Sequence, residues 1–243
     1  MPTPALLDSL RARIAAIEGV GQRFSSLPFD VPSVDERIPG HGIAGGALHE
    51  VTGSPALADD AAATIFIAGI LARMEGMVLW CLHWRDLFAP ALSLAGLPSD
   101  RIIFVEAGSD TNVLIAMEEG LRHAGLAGVV GELGKVSLTA SRRLQLAAET
   151  SGVPAFLFRR AARDDANTEG SAAMTRWRVL AHPSEPLGIP SLARARWSVT
   201  LERARGGTEH HWIVEACDAT GRIALPADLV DRPDTAEDAR HAA

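Results

Sequence analysis

From Ala47 onward the chain alternates between short runs of continuous apolar residues and longer stretches whose apolar residues return every three or four positions. The first pattern marks strands buried on both faces, and the second marks helices with one covered side. Read in order, it predicts strand Ala47–Thr52, helix Ala61–Arg73, strand Met77–Leu82, helix Arg85–Ala95 and strand Arg101–Val105. Helix Thr111–His123 follows, with Asp110 as N-cap, then a short strand Ala127–Val130. Helix Leu138–Thr150, stopped by Gly152, and strand Pro154–Phe158 complete the series. Such β–α alternation predicts an α/β fold with a mainly parallel sheet flanked by helices.

The pattern then changes. Arg159–Ala173 is charged and rich in small residues, whereas Arg176–Ala181, Ala195–Arg203 and His210–Ala216 alternate in character with a period of two. Arg205-Gly206-Gly207-Thr208 reads as the hairpin joining the last two, so antiparallel strands are expected to extend the parallel sheet. At the other end, Thr3 and Pro4 begin a helix whose Leu6, Leu7, Leu10, Ile14 and Ile17 share one face up to Gly19. The Pro-, Gly- and Ser-rich stretch after it reads as an irregular linker. The expected organisation is an arm over residues 1–40, a core over 41–230, and an acidic, Ala-rich, disordered tail over 231–243.

Between the first core strand and its helix lies Gly53–Asp60, G-S-P-A-L-A-D-D. A phosphate-binding Walker A loop in this setting would read G-x-x-x-x-G-K-[ST]. Here Ala58 replaces the second Gly, Asp59 the Lys and Asp60 the Ser/Thr. Two carboxylates at a helix N-terminus oppose the anion that the loop would otherwise attract, leaving Ser54 and the loop amides as its only phosphate donors. The expected role of Asp59 and Asp60 is helix capping.

The other parts of a nucleotide hydrolase are altered too. On Gly128-Val129-Val130-Gly131-Glu132 the Mg²⁺-holding acid would come one residue late, and Glu132 reads either as a metal-facing acid or as a solvated strand-end side chain, the commoner case. The second strand ends in Trp80-Cys81-Leu82-His83-Trp84, with no Glu to orient a water. Lys135, the single lysine, lies just beyond strand Ala127–Val130, where it has no nucleotide to sense. No catalytic residues, cofactor or metal site are expected, and ATP hydrolysis is not expected.

Composition narrows the remaining classes. With 243 residues, 47% hydrophobic, the chain can bury one large core, and its net charge of −7 gives no global field for nucleic acid. Arg159, Arg160 and Arg163 could touch DNA, but Asp164, Asp165 and Glu169 dilute that patch. Cys81 and Cys217 sit in apolar runs as buried thiols, and no signal peptide or bilayer-length apolar run is present, so a soluble cytoplasmic protein is expected. His210 and His211 are adjacent on a strand and point to opposite faces, so they cannot share a metal. Arg176, Trp177, Arg178, Trp197 and Trp212 combine the residue types most enriched at protein contacts, and with Leu10 and Ile14 of the first helix they form the expected partner-binding set. The competing reading of the same Arg and Trp pairs is ordinary cross-strand packing.

Pro39-Gly40-His41-Gly42, the entry I-A-G-G-A-L-H-E-V-T-G and the later antiparallel strands follow the order of the RecA fold, which the chain resembles across nearly its whole length. In detail it resembles the ImuA family, RecA-like accessory proteins of bacterial damage-induced mutagenesis. The residues that carry this are Gly45–Val51, the degenerate loop, T-R-W-R-V at Thr175–Val179 with Pro183-Ser184 behind it, and R-W-S-V-T-L-E-R-A-R-G-G at Arg196–Gly207. The resemblance implies a non-catalytic adaptor in SOS-induced translesion DNA synthesis, with ImuB (a Y-family-like protein), a DnaE-type polymerase and RecA as partners. The alternatives are a SulA-like inhibitor of cell division, whose usual chain is shorter, and an active RecA-like ATPase.

Overall fold

A computed structural model of the chain describes residues 25–160, 170–184 and 194–226. Ser26–Leu27 (β1) pairs antiparallel with Ile43–Ala44 (β2), and a short helix Pro32–Asp35 (α1) lies between them. The core then runs Leu48–Thr52 (β3), Leu57–Ala72 (α2), Met77–Leu82 (β4), Ala89–Leu94 (α3), Ile102–Glu106 (β5), Asp110–Gly120 (α4), Leu126–Leu133 (β6), Leu138–Ser151 (α5) and Ala155–Arg159 (β7). Thr175–His182 (β8), Arg196–Ala204 (β9) and His210–Glu215 (β10) follow.

One eight-stranded sheet has the order β10-β9-β8-β3-β7-β6-β4-β5. β8, β3, β7, β6, β4 and β5 are parallel, and only β9 and β10 continue the sheet antiparallel; β8, the first of the alternating stretches, joins β3 in parallel instead. Helices α2 and α3 cover one face over a cluster that includes Val51, Phe66, Trp80, Phe156 and Val179. Helices α4 and α5 cover the other over Leu48, Val113, Met117, Val129, Leu144 and Leu157.

Several boundaries move for identifiable reasons. α2 starts at Leu57 rather than Ala61, which places Asp59 and Asp60 inside its first turn. α3 begins at Ala89 rather than Arg85, because Arg85 and Asp86 reach out to Glu106 and Arg160, and Pro90 has no N–H and suits a helix's first turn. β6 extends through Leu133, since Gly131, Glu132 and Leu133 still pair with β7. Gly131 sits there because α4 packs close: a Cβ would stand 2.1 Å from the Met117 sulfur. Ser109, not Asp110, caps α4, while Ser137 and the left-handed Gly152 bound α5.

The stretch read as a linker is part of the core. Phe29, Val31, Val34 and Ile38 are buried in the α2-face cluster, and the Asp35 carboxylate accepts from the amides of Phe29 at 2.7 Å and Val31 at 3.1 Å. Leu10, Ile14 and the first helix lie outside the described residues, as do Arg163 with its neighbours and the segment from residue 227.

Candidate functional site

The loops at the carboxyl ends of parallel strands converge on one rim, where an open α/β sheet places its ligands. β3 contributes Gly53–Ala56, β4 His83–Asp86, β5 the start of α4, β6 Glu132–Lys135 and β7 Arg160. A cavity of about 260 Å³ opens here, lined by His83, Trp84, Asp110, Glu132, Leu133, Gly134 and Arg160.

Glu132 is the buried centre of this rim. The register that pairs Trp80 with Val130 puts Glu132 on the same sheet face as the Trp80 indole. Trp80 Nε1–H donates to Glu132 Oε1 at 2.7 Å, and Arg160 Nη2 donates to Oε2 at 2.8 Å. The side chain is 1% exposed, so the expected solvated strand-end glutamate is corrected: the strand runs on to Leu133 and two long-range partners enclose the carboxylate. Burial pushes its carboxyl above the usual range, and Arg160 and the Trp80 bond only partly oppose that.

Arg160 links the acids around it. Both its terminal nitrogens bind the Asp86 carboxylate, Nη2 at 3.0 Å from Oδ1. Burial lowers its affinity for the proton, but Asp86, Glu132 and Asp60 more than offset this and hold the guanidinium charge firmly.

The degenerate loop is tied down by its own carboxylates. Neither Asp59 nor Asp60 caps the helix, a correction to the sequence reading, because Ala56 occupies the N-cap position without a side-chain bond. Ser54 Oγ donates to Asp59 Oδ2 and accepts from the Ala56 amide at 3.1 Å. The amide of Ala181, near the end of β8, donates to Asp59 Oδ1 at 2.7 Å. Ser54 and a β8 amide are thus engaged with Asp59 where a Walker lysine would reach toward phosphate. Asp60 is half-buried with Oδ1 unpaired among the described residues; burial raises its pKa, and the attraction of Arg160 does not cancel the effect. Gly53 allows this close approach, since a Cβ there would lie 2.8 Å from Asp60 Oδ1.

On the other side of the cavity, His83 Nδ1 and Asp110 Oδ1 are 2.7 Å apart, and the imidazole stacks on Trp84 with ring centres 4.5 Å apart. Asp110 Oδ2 accepts from the amides of Gly134 and Lys135, each at 3.2 Å, which joins the loops after β4, β5 and β6. His83, Asp110 and Arg160 escape a motif search because their hydrogen-bond partners are 24 to 74 residues away. Among the described residues, no group of three His, Cys, Asp or Glu side chains is placed to hold a metal. No described helix is long and apolar enough to cross a membrane.

The expected Arg/Trp surface is only partly a surface. Trp177 is fully buried and Trp197 nearly so, because Trp177 and Val179 of β8 and Trp197, Val199 and Leu201 of β9 face α2, whereas an irregularity after Leu201 turns Arg203 to the opposite face. Trp177 packs on Phe29 at 5.6 Å and Phe66 at 5.7 Å, with its Nε1–H donating to Thr175 Oγ1 at 2.8 Å. Trp212 is partly covered and donates to the Ser33 carbonyl at 3.2 Å. Arg176 turns to the opposite face, where with Arg159 it pairs the buried Glu50, at 3.2 and 2.8 Å. Arg178 is half exposed and pairs with Glu202. The structure therefore buries Trp177 and Trp197 in the core, covers Trp212 in part, and leaves Arg178 as the most exposed of the set's described members.

The chain is 39% identical to Protein ImuA of Caulobacter vibrioides strain NA1000 / CB15N over 211 residues, covering 79% of this chain and 84% of that protein. The match to Protein ImuA of strain ATCC 19089 of the same species has the same extent and identity. Among solved structures, the RadB recombinase superposes with a TM-score of 0.59 at 15% identity, covering 83% of this chain and all of that one, a likeness of fold. No family model matches the chain.

Proposed function

The chain belongs to the ImuA family, and from that membership we propose that it is a non-catalytic RecA-like adaptor of damage-induced translesion DNA synthesis, working in the cytoplasm. Its partners in this reading are an ImuB-like Y-family protein, a DnaE-type error-prone polymerase and RecA. The observation that carries the non-catalytic part is the rim itself. Asp59 and Asp60 stand in the first turn of α2, while Arg160, whose charge acts on Asp60, is committed to Glu132 and Asp86. A triphosphate arriving there would meet two carboxylates and a spoken-for guanidinium, so its phosphates would lose their water without gaining partners.

What supports the adaptor part is family membership together with a sheet and helix arrangement shared with a recombinase. A RecA-like body without nucleotide cycling retains surfaces for docking and has no stroke with which to release a partner. The test has two arms. Phosphate release from ATP with single-stranded DNA present is expected to stay at background, and turnover lost in Glu132→Gln would overturn the non-catalytic reading. Affinity purification from DNA-damaged cells is expected to recover the Y-family-like protein, the polymerase or RecA. Recovery of the division-ring protein in their place would overturn the adaptor reading and leave the fold standing.

A further inference from the structure

On the α5 side of the sheet, away from the rim, a groove of about 430 Å³ runs between α5 and the end of β9. Among the described residues, Arg142, Arg203 and Arg205 line it against one acid, Glu149, which already accepts from Gln145 at 2.7 Å. Arg142 and Arg205 make no side-chain hydrogen bond or ion pair with another described residue, and Arg203 has only a long contact of 3.4 Å to the Ala173 carbonyl. Leu138 and Leu146 open onto the same groove, Leu146 being 61% exposed. Guanidinium groups beside aliphatic side chains, with no aromatic ring for a base to stack on, suit an acidic polypeptide better than a nucleic-acid strand.

The chain supplies such a polypeptide. Residues 227–243 carry Asp228, Asp231, Asp234, Glu237 and Asp238 against Arg232 and Arg240, a net charge of −3. Their point of departure is defined. Ala224 bridges antiparallel to Glu215 at the end of β10, so the chain reaches Pro226 running back along the outer edge of β10 toward His210. His210 pairs with Leu201, so that is the end of the sheet at which Arg203 and Arg205 lie. From this edge the groove is about three strand spacings and one sheet-to-helix step away, about 25 Å, which about eight extended residues span. Asp234, Glu237 and Asp238 fall within that reach.

We propose that residues 227–243 dock in cis in the groove between α5 and β9, with their carboxylates on Arg142, Arg203 and Arg205. A partner that uses the groove then has to displace this segment first. The inference goes beyond the adaptor reading and does not depend on it.

A nitroxide attached to Ala239→Cys in the full chain tests it, with the leucine methyl groups observed by NMR. The two native thiols, each pushed up to about 12 by burial, stay unlabelled at neutral pH. The Leu138 and Leu146 methyl signals are expected to broaden, to stay broadened on dilution, and to recover in R142E/R205E, whose core methyl signals report that it is folded. Full-intensity signals in the labelled chain would overturn the proposal, and so would broadening that disappears on dilution, the mark of a second copy. In a second measurement, a peptide of residues 227–243 is titrated into the chain ending at Pro226. Salt-sensitive binding weakened by about tenfold in R142E/R205E is expected. Absence of binding, or a groove that takes a single-stranded oligonucleotide and not the peptide, would refute it.

Discussion

Arg160 donates to Glu132 at 2.8 Å from a position 28 residues further along the chain, and the same guanidinium grips Asp86 at the far side of the rim. The contact is asymmetric, because Glu132 is 1% exposed and Arg160 27%. Removing the arginine strands a buried carboxylate that keeps only the Trp80 donor. Arg160→Ala is expected to cost about 2 kcal/mol, below the range for a fully enclosed pair because water can partly replace the guanidinium. Arg160→Ala with Glu132→Gln should recover part of that loss, since no charge is then stranded. Urea unfolding of both single variants and the double variant measures the coupling, and strict additivity would show that the pair is not coupled.

Glu132 also sets a pH dependence. Its folded-state pKa is raised, mainly by burial, so the unfolded chain gives up this proton more readily than the folded chain does. Its contribution to stability is therefore complete below the unfolded value of 4.5 and is lost as pH climbs through the raised folded value. Glu132→Gln removes that loss. Relative to the parent, the variant is expected to gain stability steadily as unfolding is followed from pH 4.5 upward. A flat difference would mean that Arg160 holds Glu132 at its ordinary pKa.

His49 acts in the opposite direction on the acid side. It is wholly buried in β3, with Nδ1 2.7 Å from Thr175 Oγ1 and Nε2 2.9 Å from the Ala44 carbonyl, and burial lowers its pKa from 6.5 to about 4. In this window the unfolded chain binds the proton and the folded chain does not, so stability falls as pH drops from 6.5 toward 4. The loss amounts to about 3 kcal/mol when the folded value is passed. His49→Gln, even if less stable at pH 7, should show a shallower fall over that range in urea titrations. An unchanged slope would assign the acid sensitivity to another group.

The sheet was legible in the sequence because its strands are unbroken apolar runs, and the antiparallel extension because its residues alternate. Residues 25–44 were not, since Val31, Val34 and Ile38 keep a helical spacing for only two turns among Pro, Gly and Ser, and with Phe29 they owe their burial to rings and strands far away in the chain. The rim was half legible. The charge reversal at Asp59 and Asp60 is written locally, whereas the burial of Glu132 depends on Trp80 and Arg160, 52 and 28 residues away. Period two puts Trp177 on the face opposite Arg176 and Arg178, which the expected partner-binding set joined together, and period alone does not say which face is covered. That is decided by α2 and by Phe29, which close over the tryptophan side.

The face assignment has a direct consequence for mapping partner contacts. Trp177→Ala removes a fully buried indole and its bond to Thr175, at an expected cost of about 4 kcal/mol, much of a domain's stability. Loss of partner binding in that variant would report unfolding rather than a missing contact. Arg178 is half exposed and its partner Glu202 keeps some contact with water, so Arg178→Ala is expected to cost only about 1 kcal/mol. Thermal unfolding of the two variants side by side tests the assignment. Where Arg178→Ala weakens capture of a partner at full stability, β8 contributes to the docking surface through its arginine face. A Trp177→Ala protein as stable as the parent would show that the tryptophan face is not the core.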